Sequence, residues 1–157
     1  MDKVINLGIP HVGEQIFEMI ETQELIKYLE VSETWKVLTE NVLIKRWKGK
    51  IFEAYKNGET KVVQVLLERC NAEESGLNTK DFIGRTTLMV ACKNGHKDVV
   101  QLLLNNLERN IDFNARCYGA VVGWTALDYA DKNGHDDVVR LLVELTMGKI
   151  HYASHAF

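Results

Sequence analysis

The chain has 157 residues, of which 46% are hydrophobic and 26% are charged, and its formal net charge at pH 7 is −3. This composition is that of an ordinary globular protein, and the length suffices for one core or for two small units. The small, evenly spread charge argues against a surface for nucleic acid or for an anionic membrane. No apolar run approaches the ~18 residues that cross a bilayer. Three widely spaced cysteines predict free thiols in a cytoplasmic or nuclear protein.

The first 47 residues carry large apolar side chains at the spacing of three short helices. The first predicted helix runs from about 14 to 21, the second covers 25 to 29, and the third begins after Ser32, a good N-cap residue. A stretch this short cannot bury so many large side chains within itself. We therefore expect another part of the chain, or a separate partner, to cover the remaining apolar surface.

At these positions the stretch resembles an F-box. Ile9-Pro10 corresponds to the opening Leu-Pro of the family, Ile16-Phe17 to its Ile-Phe pair, and Val31 and Trp35 to its Val-x-x-x-Trp core. The resemblance covers residues 1–48 and implies docking on the Skp-type adaptor of a cullin–RING ubiquitin ligase. The adaptor-binding residues that it implies are Ile9, Pro10, Ile16, Phe17, Ile20, Leu25, Val31 and Trp35.

One block of sequence recurs three times, at 54–67, 91–104 and 130–143. Each copy contains two apolar helical segments joined by an Asn-Gly turn, in which the glycine takes the left-handed backbone that ends a helix. Repetition at a period of a few tens of residues is typical of a stacked solenoid. Since a solenoid presents an extended surface, we expect recognition and not catalysis.

The segments before the second and third copies resemble the ankyrin signature Asp-x-x-Gly-x-Thr-Pro-Leu-His. They are DFIGRTTLM at 81–89 and GWTALD at 123–128. The resemblance implies ankyrin repeats over 50–145, and the units are a truncated first repeat at 50–70, a second at 81–115, a third at 120–145 and a C-terminal tail at 146–157. The copies are 37 and 39 residues apart, against about 33 in the family. The extra residues are expected to lengthen the β-turn fingers, at 70–79 and at 116–122.

The predicted fold is all-α, a three-helix F-box bundle packed on a short ankyrin-repeat solenoid with β-turn fingers. Residues 48–50 alone separate the bundle from the first repeat helix, and the first repeat lacks its β-turn. A linker this short predicts that the bundle packs directly on the repeats.

Aromatic, apolar and basic residues on the predicted fingers are the candidate substrate contacts, because exposed aromatic residues and arginine are enriched at interface hot spots. These candidates are Phe82, Ile83 and Arg85 on one finger, and Tyr118, Val121, Val122 and Trp124 on the next. Lys93 and Lys132 share one repeat position, and stacking would align them to bind an acidic segment. The stronger alternative for these lysines is helix-end chemistry beside an Asn-Gly cap. His96 and His135 are expected to hydrogen-bond between neighbouring loops, as the ankyrin resemblance implies.

No Ser-His-Asp, Cys-His or paired-carboxylate arrangement stands out, so we expect no enzyme, no cofactor and no metal site. The resemblances together imply a substrate-recognition subunit of a Skp–cullin–F-box ubiquitin ligase, monomeric or one-to-one with the adaptor, whose repeats bind a protein substrate. Two alternatives stay open. In the first, the chain would be an ankyrin scaffold whose N-terminal helices only cap the solenoid. In the second, it would be a decoy that occupies the adaptor without presenting a substrate. The sequence does not identify the substrate.

Overall fold

The computed structural model describes residues 16–106, 111–118 and 123–153, with the backbone alone for 145–153. The chain divides into two compact units, residues 1–50 and residues 51–157. Within the described ranges the regular structure is helical, and an isolated antiparallel β-bridge joins Lys80 to Thr86. The predicted all-α class is confirmed, while the direct packing of the bundle on the repeats stays a prediction.

The N-terminal unit is a succession of short helices that ends in a long one. Residues 16–19 are helical and are followed by α1 (Thr22–Ile26), a 3-10 helix (Lys27–Glu30) and α2 (Glu33–Trp47). The second predicted helix therefore begins as an α-helix and tightens into a 3-10 turn. The hydroxyl of Ser32 accepts a hydrogen bond from the backbone N–H of Trp35 at 3.4 Å. This bond confirms Ser32 as the N-cap of α2, because it satisfies one of the free donors of the first turn.

An aromatic cluster of Phe17, Tyr28 and Trp35 forms the core of this unit. The ring centroids of Phe17 and Trp35 lie 5.1 Å apart, and the ring of Tyr28 lies 5.3 Å from the first and 5.5 Å from the second. The guanidinium of Arg46, near the end of α2, donates to the backbone carbonyls of Phe17 at 3.2 Å and Glu18 at 3.0 Å. The carbonyl of Phe17 also accepts from the N–H of Ile20 at 3.2 Å. Arg46 adds a side-chain donor at this helix end and so ties the last turn of α2 to the first helical segment.

Three helix pairs make up the second unit. They are α3 (Ile51–Asn57) with α4 (Thr60–Arg69), α5 (Thr87–Lys93) with α6 (Lys97–Asn105), and α7 (Ala126–Lys132) with α8 (Asp136–Ala153). The first helices of the three pairs contact one another in turn, and so do the second helices. This is the stacking that the repeated block predicts. Because α8 continues to Ala153, the predicted tail is helical over most of its length.

The solenoid core is built from both the first and the second helices of the pairs. Equivalent positions of α4 and α6 supply side chains that are fully buried, namely Val62, Val63, Leu66, Val99, Val100 and Leu103. The three cysteines are buried and free, as their spacing predicts. Burial raises the pKa of the Cys92 thiol to about 12, which keeps it protonated and unreactive at neutral pH.

The extra residues at 70–79 do not lengthen a finger, and that prediction is wrong. They form consecutive turns in which the side chains of Ser75 and Leu77 are buried. The hydroxyl of Tyr55 on α3 donates to the carbonyl of Ser75 at 2.8 Å, and the hydroxyl of Thr87 on α5 donates to the carbonyl of Leu77. The inserted segment therefore accepts hydrogen bonds from buried hydroxyls on α3 and α5, and these hydrogen bonds hold it against the core.

A reciprocal cap begins α7. The carboxylate of Asp128 accepts hydrogen bonds from the N–H of Thr125 at 2.8 Å and from its hydroxyl at 2.7 Å, while the N–H of Asp128 donates to that hydroxyl at 3.3 Å. The hydrogen bonds from Thr125 lower the pKa of Asp128 from 3.8; partial burial opposes them, and the charges of Arg116 and Lys132 assist. The ionised carboxylate therefore stabilises the folded state.

We expect Asp128→Ala to lower the free energy of unfolding by about 1 kcal/mol at neutral pH, the usual effect of losing a cap. Because folding depresses the pKa of Asp128, its stabilisation is present above the unfolded pKa and is lost as the pH falls through the folded pKa. Denaturant unfolding should therefore show a difference from the wild type that shrinks below pH 3.8. The control is Asp131→Ala, an exposed carboxylate on the same helix. A difference that does not change with pH would contradict the assignment.

Trp35→Ala should destabilise the N-terminal unit by about 3–5 kcal/mol, the usual result of truncating a buried large aromatic side chain. The loss should appear as faster amide hydrogen exchange across α2, measured by mass spectrometry. Val37→Ala is the control, since Val37 lies on the same helix and is 47% exposed. Unchanged exchange in Trp35→Ala would show that the aromatic cluster does not hold the unit together.

Candidate protein-binding surface

The second-repeat finger, residues 80–86, is a tight turn organised by Asp81. The backbone N–H groups of Ile83 and Arg85 donate to Oδ1 of Asp81 at 3.1 and 2.9 Å, and Nη2 of Arg85 lies 2.6 Å from Oδ2. Burial opposes the ionisation of Asp81, but the hydrogen bonds from Arg85 and Ile83 and the charge of Arg85 outweigh it and lower the pKa from 3.8. The shape of this turn is therefore fixed by the ionised carboxylate.

The third-repeat finger, residues 115–125, is described except for 119–122. The N–H of Cys117 donates to the carbonyl of Trp124 at 3.1 Å. The ring of Trp124 meets that of Tyr129 edge to face, with centroids 5.2 Å apart, and the hydroxyl of Tyr129 donates to Sγ of Cys117 at 3.4 Å. Burial and then the hydrogen bond to Cys117 raise the pKa of Tyr129 to about 12. These contacts make a packed base for the finger.

Tyr118 joins the two fingers. Its N–H donates to the carbonyl of Ile83 at 3.1 Å. Its ring covers the α-carbon of Gly84 so closely that a Cβ added there would lie 2.2 Å from Cε1 of the ring. Gly84 has φ +78°, in the left-handed region that favours glycine. The absence of a side chain at this position allows the ring of Tyr118 on one finger to pack on the backbone of the other.

Burial separates the predicted finger contacts into two groups. Phe82 and Tyr118 are 88% and 65% exposed, so they offer large aromatic surfaces to a partner. Three predicted contacts are half-buried, namely Ile83, Arg85 and Trp124. Two lie outside the described residues, namely Val121 and Val122. Since Arg85 is paired with Asp81 and Trp124 packs on Tyr129, both contribute mainly to the shape of the fingers.

Two exposed cations that the sequence reasoning missed accompany this aromatic pair. Lys80 begins the second-repeat finger, and Arg116 precedes Tyr118 by two residues on the other. Nη1 of Arg116 donates to the carbonyl of Gly123 at 2.7 Å, which anchors the guanidinium. Their positions in sequence, next to the predicted finger contacts, could have identified them as candidate contacts too. Lys80, Phe82, Arg116 and Tyr118 are called the fingertip surface below.

Two histidines bridge neighbouring repeats. Nε2 of His96 lies 2.8 Å from the carbonyl oxygen of Lys56, which also accepts from the amide of Asn94 at 3.0 Å. Nε2 of His135 lies 3.0 Å from the carbonyl oxygen of Lys93. Because a carbonyl only accepts, Nε2 carries the proton in both rings. The predicted loop-bridging role of the two histidines is confirmed.

The two repeated lysines that were predicted to bind an acidic segment differ in exposure. Lys93 is half-buried, and Lys132 is exposed with its Nζ 3.8 Å from the carboxylate of Asp131. An ion pair this exposed contributes little energy. A binding role for this pair stays a prediction.

The predicted adaptor-binding residues also divide by burial. The buried ones are Phe17, Leu25 and Trp35. These three side chains help to build the core of their unit, so little of their surface is open to an adaptor. Their predicted role in adaptor binding stays a prediction. Ile16 and Val31 are 47% and 60% exposed, and Ile20 is half-buried. Ile9 and Pro10 lie outside the described residues.

The described ranges contain neither a cluster of metal-ligating side chains nor a membrane-spanning helix. Nowhere in them do three or more histidine, cysteine, aspartate or glutamate side chains come together as a cation site would require. The same ranges contain no helix with the length and apolar character needed to cross a membrane.

Gly84→Ala should destabilise the protein more than Gly134→Ala, although both glycines have left-handed backbones with φ of +78° and +73°. Each substitution brings about 1 kcal/mol of backbone strain. At Gly84 the new Cβ also meets the ring of Tyr118, whereas at Gly134 nothing lies within 4 Å. In Gly84→Ala this overlap should lower the free energy of unfolding, measured with denaturant, by about a further 1–3 kcal/mol. The NMR resonances of the Tyr118 ring should shift in Gly84→Ala and not in Gly134→Ala. Equal stability of the two variants would contradict the ring contact.

Two comparisons with known proteins found partial matches. Osteoclast-stimulating factor 1 from Monopterus albus is 51% identical over 39 residues, which are 25% of this chain and 18% of that protein. This chain thus matches less than a fifth of the length of that relative. A chain of the solved structure described as Bd0816 predatory endopeptidase from Bdellovibrio bacteriovorus in complex with immunity protein Bd3460 is 29% identical. The likeness covers 60% of this chain and 45% of that chain, with a TM-score of 0.47.

The family model described as ankyrin repeats in three copies matches residues 51–153. The match begins after the N-terminal unit, so the F-box resemblance over 1–48 stays a prediction. The three predicted repeats are confirmed, and the matched range includes most of the segment predicted as a tail. Since the match spans well over half of the sequence, the chain belongs to the ankyrin-repeat family.

Proposed function

We propose that this protein is a non-catalytic binding subunit that holds a protein substrate on its fingertip surface. Ankyrin repeats imply binding to protein partners. The observation that carries the proposal is the exposure of Phe82 and Tyr118 on two fingers that are already hydrogen-bonded to each other. Covering these rings would remove apolar surface from water. Because the fingers are held in place beforehand, little conformational entropy is lost on binding.

We propose further that the N-terminal unit is an F-box that docks on a Skp-type adaptor. The protein would then be a substrate receptor of a cullin–RING ubiquitin ligase, acting in the cytoplasm or the nucleus. The residues that resemble the F-box motif support this proposal, and so does the aromatic cluster, which builds a compact unit separate from the repeats. Ile16 and Val31 remain exposed on this unit, and stable docking interfaces are large and mostly apolar.

The test is complex formation between the full chain and a Skp-type adaptor, followed by size-exclusion chromatography with light scattering. The F-box proposal expects a stable one-to-one complex. A monodisperse monomer that ignores the adaptor would leave the alternative, an ankyrin scaffold whose N-terminal helices only cap the solenoid.

Ile16→Ala and Val31→Ala should each weaken the adaptor complex by about thirtyfold, since truncating a well-packed interface residue costs about 2 kcal/mol. Val37→Ala is a matched control, because Val37 is exposed to the same 47% as Ile16 but is not an implied contact. Affinities measured by titration calorimetry should separate the variants. Equal loss in all three would mean that the motif residues are not the docking contacts.

A further inference from the structure

On the basis of the proposed function, in which the fingertip surface holds a protein substrate, we propose that this substrate presents an acidic segment carrying an exposed apolar side chain. Phe82 and Tyr118 would contact the apolar side chain. Lys80 and Arg116 would pair with the carboxylates.

The charge of the fingers supports an acidic partner. The described finger residues contain three cations, Lys80, Arg85 and Arg116, and one carboxylate, Asp81. Asp81 is occupied by Arg85 through the ion pair and two hydrogen bonds. Asp81 therefore does not neutralise Lys80 or Arg116, and their charges can act on a partner. This local excess of positive charge is opposite in sign to the net charge of the chain, −3, and opposite charges favour both encounter and register.

The carboxylate of Asp128, three residues after the third-repeat finger, does not cancel this excess fully. Oδ2 of Asp128 accepts both hydrogen bonds from Thr125, so this oxygen is committed to the helix cap. Arg116 acts on Asp128 through its charge, while Nη1 of Arg116 is held by the carbonyl of Gly123. A guanidinium anchored by one nitrogen keeps further N–H donors in a fixed fork, which suits recognition of a carboxylate.

The aromatic pair supplies the apolar part of the site. Tyr118 is fixed by its hydrogen bond to Ile83 and by the contact with Gly84. Phe82 directly precedes Ile83, so the same hydrogen bond places the two aromatic residues at neighbouring positions on the two fingers. An apolar side chain of the substrate that lies between them would be contacted from both fingers.

A nucleic acid is the other polyanion that stacks on aromatic rings, but the surface favours a peptide. Affinity for a phosphate backbone comes largely from lysine and arginine contacts, and a DNA-binding protein with strong salt dependence makes about 6–10 of them. The fingertip surface offers two, Lys80 and Arg116, on a chain of net charge −3. Two charges beside two aromatic rings match the carboxylates and the apolar side chain of a short acidic segment.

The experiment uses the full chain and a phage library of random peptides, followed by fluorescence anisotropy with the selected peptides as probes. The proposal expects the selected pool to be enriched in aspartate and glutamate together with apolar residues. Binding should weaken between about 0.05 and 0.5 M salt as the charges are screened. Phe82→Ala and Tyr118→Ala should each reduce affinity by about tenfold, and the double variant K80E/R116E should abolish the acidic preference.

Two control variants test whether the loss of peptide affinity is specific to the fingertip surface. Met19→Ala truncates an apolar side chain that is 88% exposed, as Phe82 is, but lies in the N-terminal unit. Lys97→Glu reverses an exposed charge on α6. Both should leave peptide affinity unchanged. A selected pool without acidic enrichment, failure to select any peptide, equal losses in Phe82→Ala and Met19→Ala, or tighter binding of a single-stranded oligonucleotide would each overturn the proposal.

The same variants separate this inference from the adaptor proposal. Phe82→Ala and K80E/R116E should still form the one-to-one complex with the Skp-type adaptor, because the substitutions lie in the repeats. A chain that binds the adaptor but no acidic peptide refutes this inference and leaves the adaptor proposal intact. A chain that binds acidic peptides but no adaptor refutes the ligase proposal alone.

Discussion

The hydrogen bond from a histidine of one repeat to a backbone carbonyl of the preceding repeat is the interaction on which the solenoid depends. It occurs at His96 with Lys56 and again at His135 with Lys93. Each imidazole also lies over the glycine of the preceding turn, where an added Cβ would come within 2.6 Å of the ring. This hydrogen bond between neighbouring turns acts together with the contacts of the stacked helices to fix the offset from repeat to repeat. That offset places the two fingers side by side, so the fingertip surface is a consequence of stacking.

Stability and recognition are assigned to different residues of each repeat. The positions that recur in every copy are those that end helices or fill the core, such as Val62 and Val99. The side chains available to a partner lie between the copies, at Phe82 and Tyr118. This division fits a binding protein in which a shared framework carries a surface that differs from one repeat to the next.

Much of this fold could be predicted from local patterns. Ser32 identifies the start of α2, and the Asn-Gly turns identify helix ends, because caps depend on a few adjacent residues. The packing of 70–79 could not be predicted, since it depends on hydroxyls of Tyr55 and Thr87 that are distant in sequence. Periodicity marked Phe17 and Ile16 alike as apolar, but their rotation about the helix, which buries one and exposes the other, is set by tertiary contacts.

The turn of the second-repeat finger has a consequence for how recognition can evolve. Asp81 holds the turn through the backbone at Ile83 and Arg85 and through the Arg85 side chain, and none of these bonds uses the side chain of Phe82. Position 82 can therefore vary among amino acids with little effect on folding. Tyr118 lacks this freedom, because its ring also covers Gly84. New partners could thus be acquired by drift at one tolerant position while its neighbour preserves the framework.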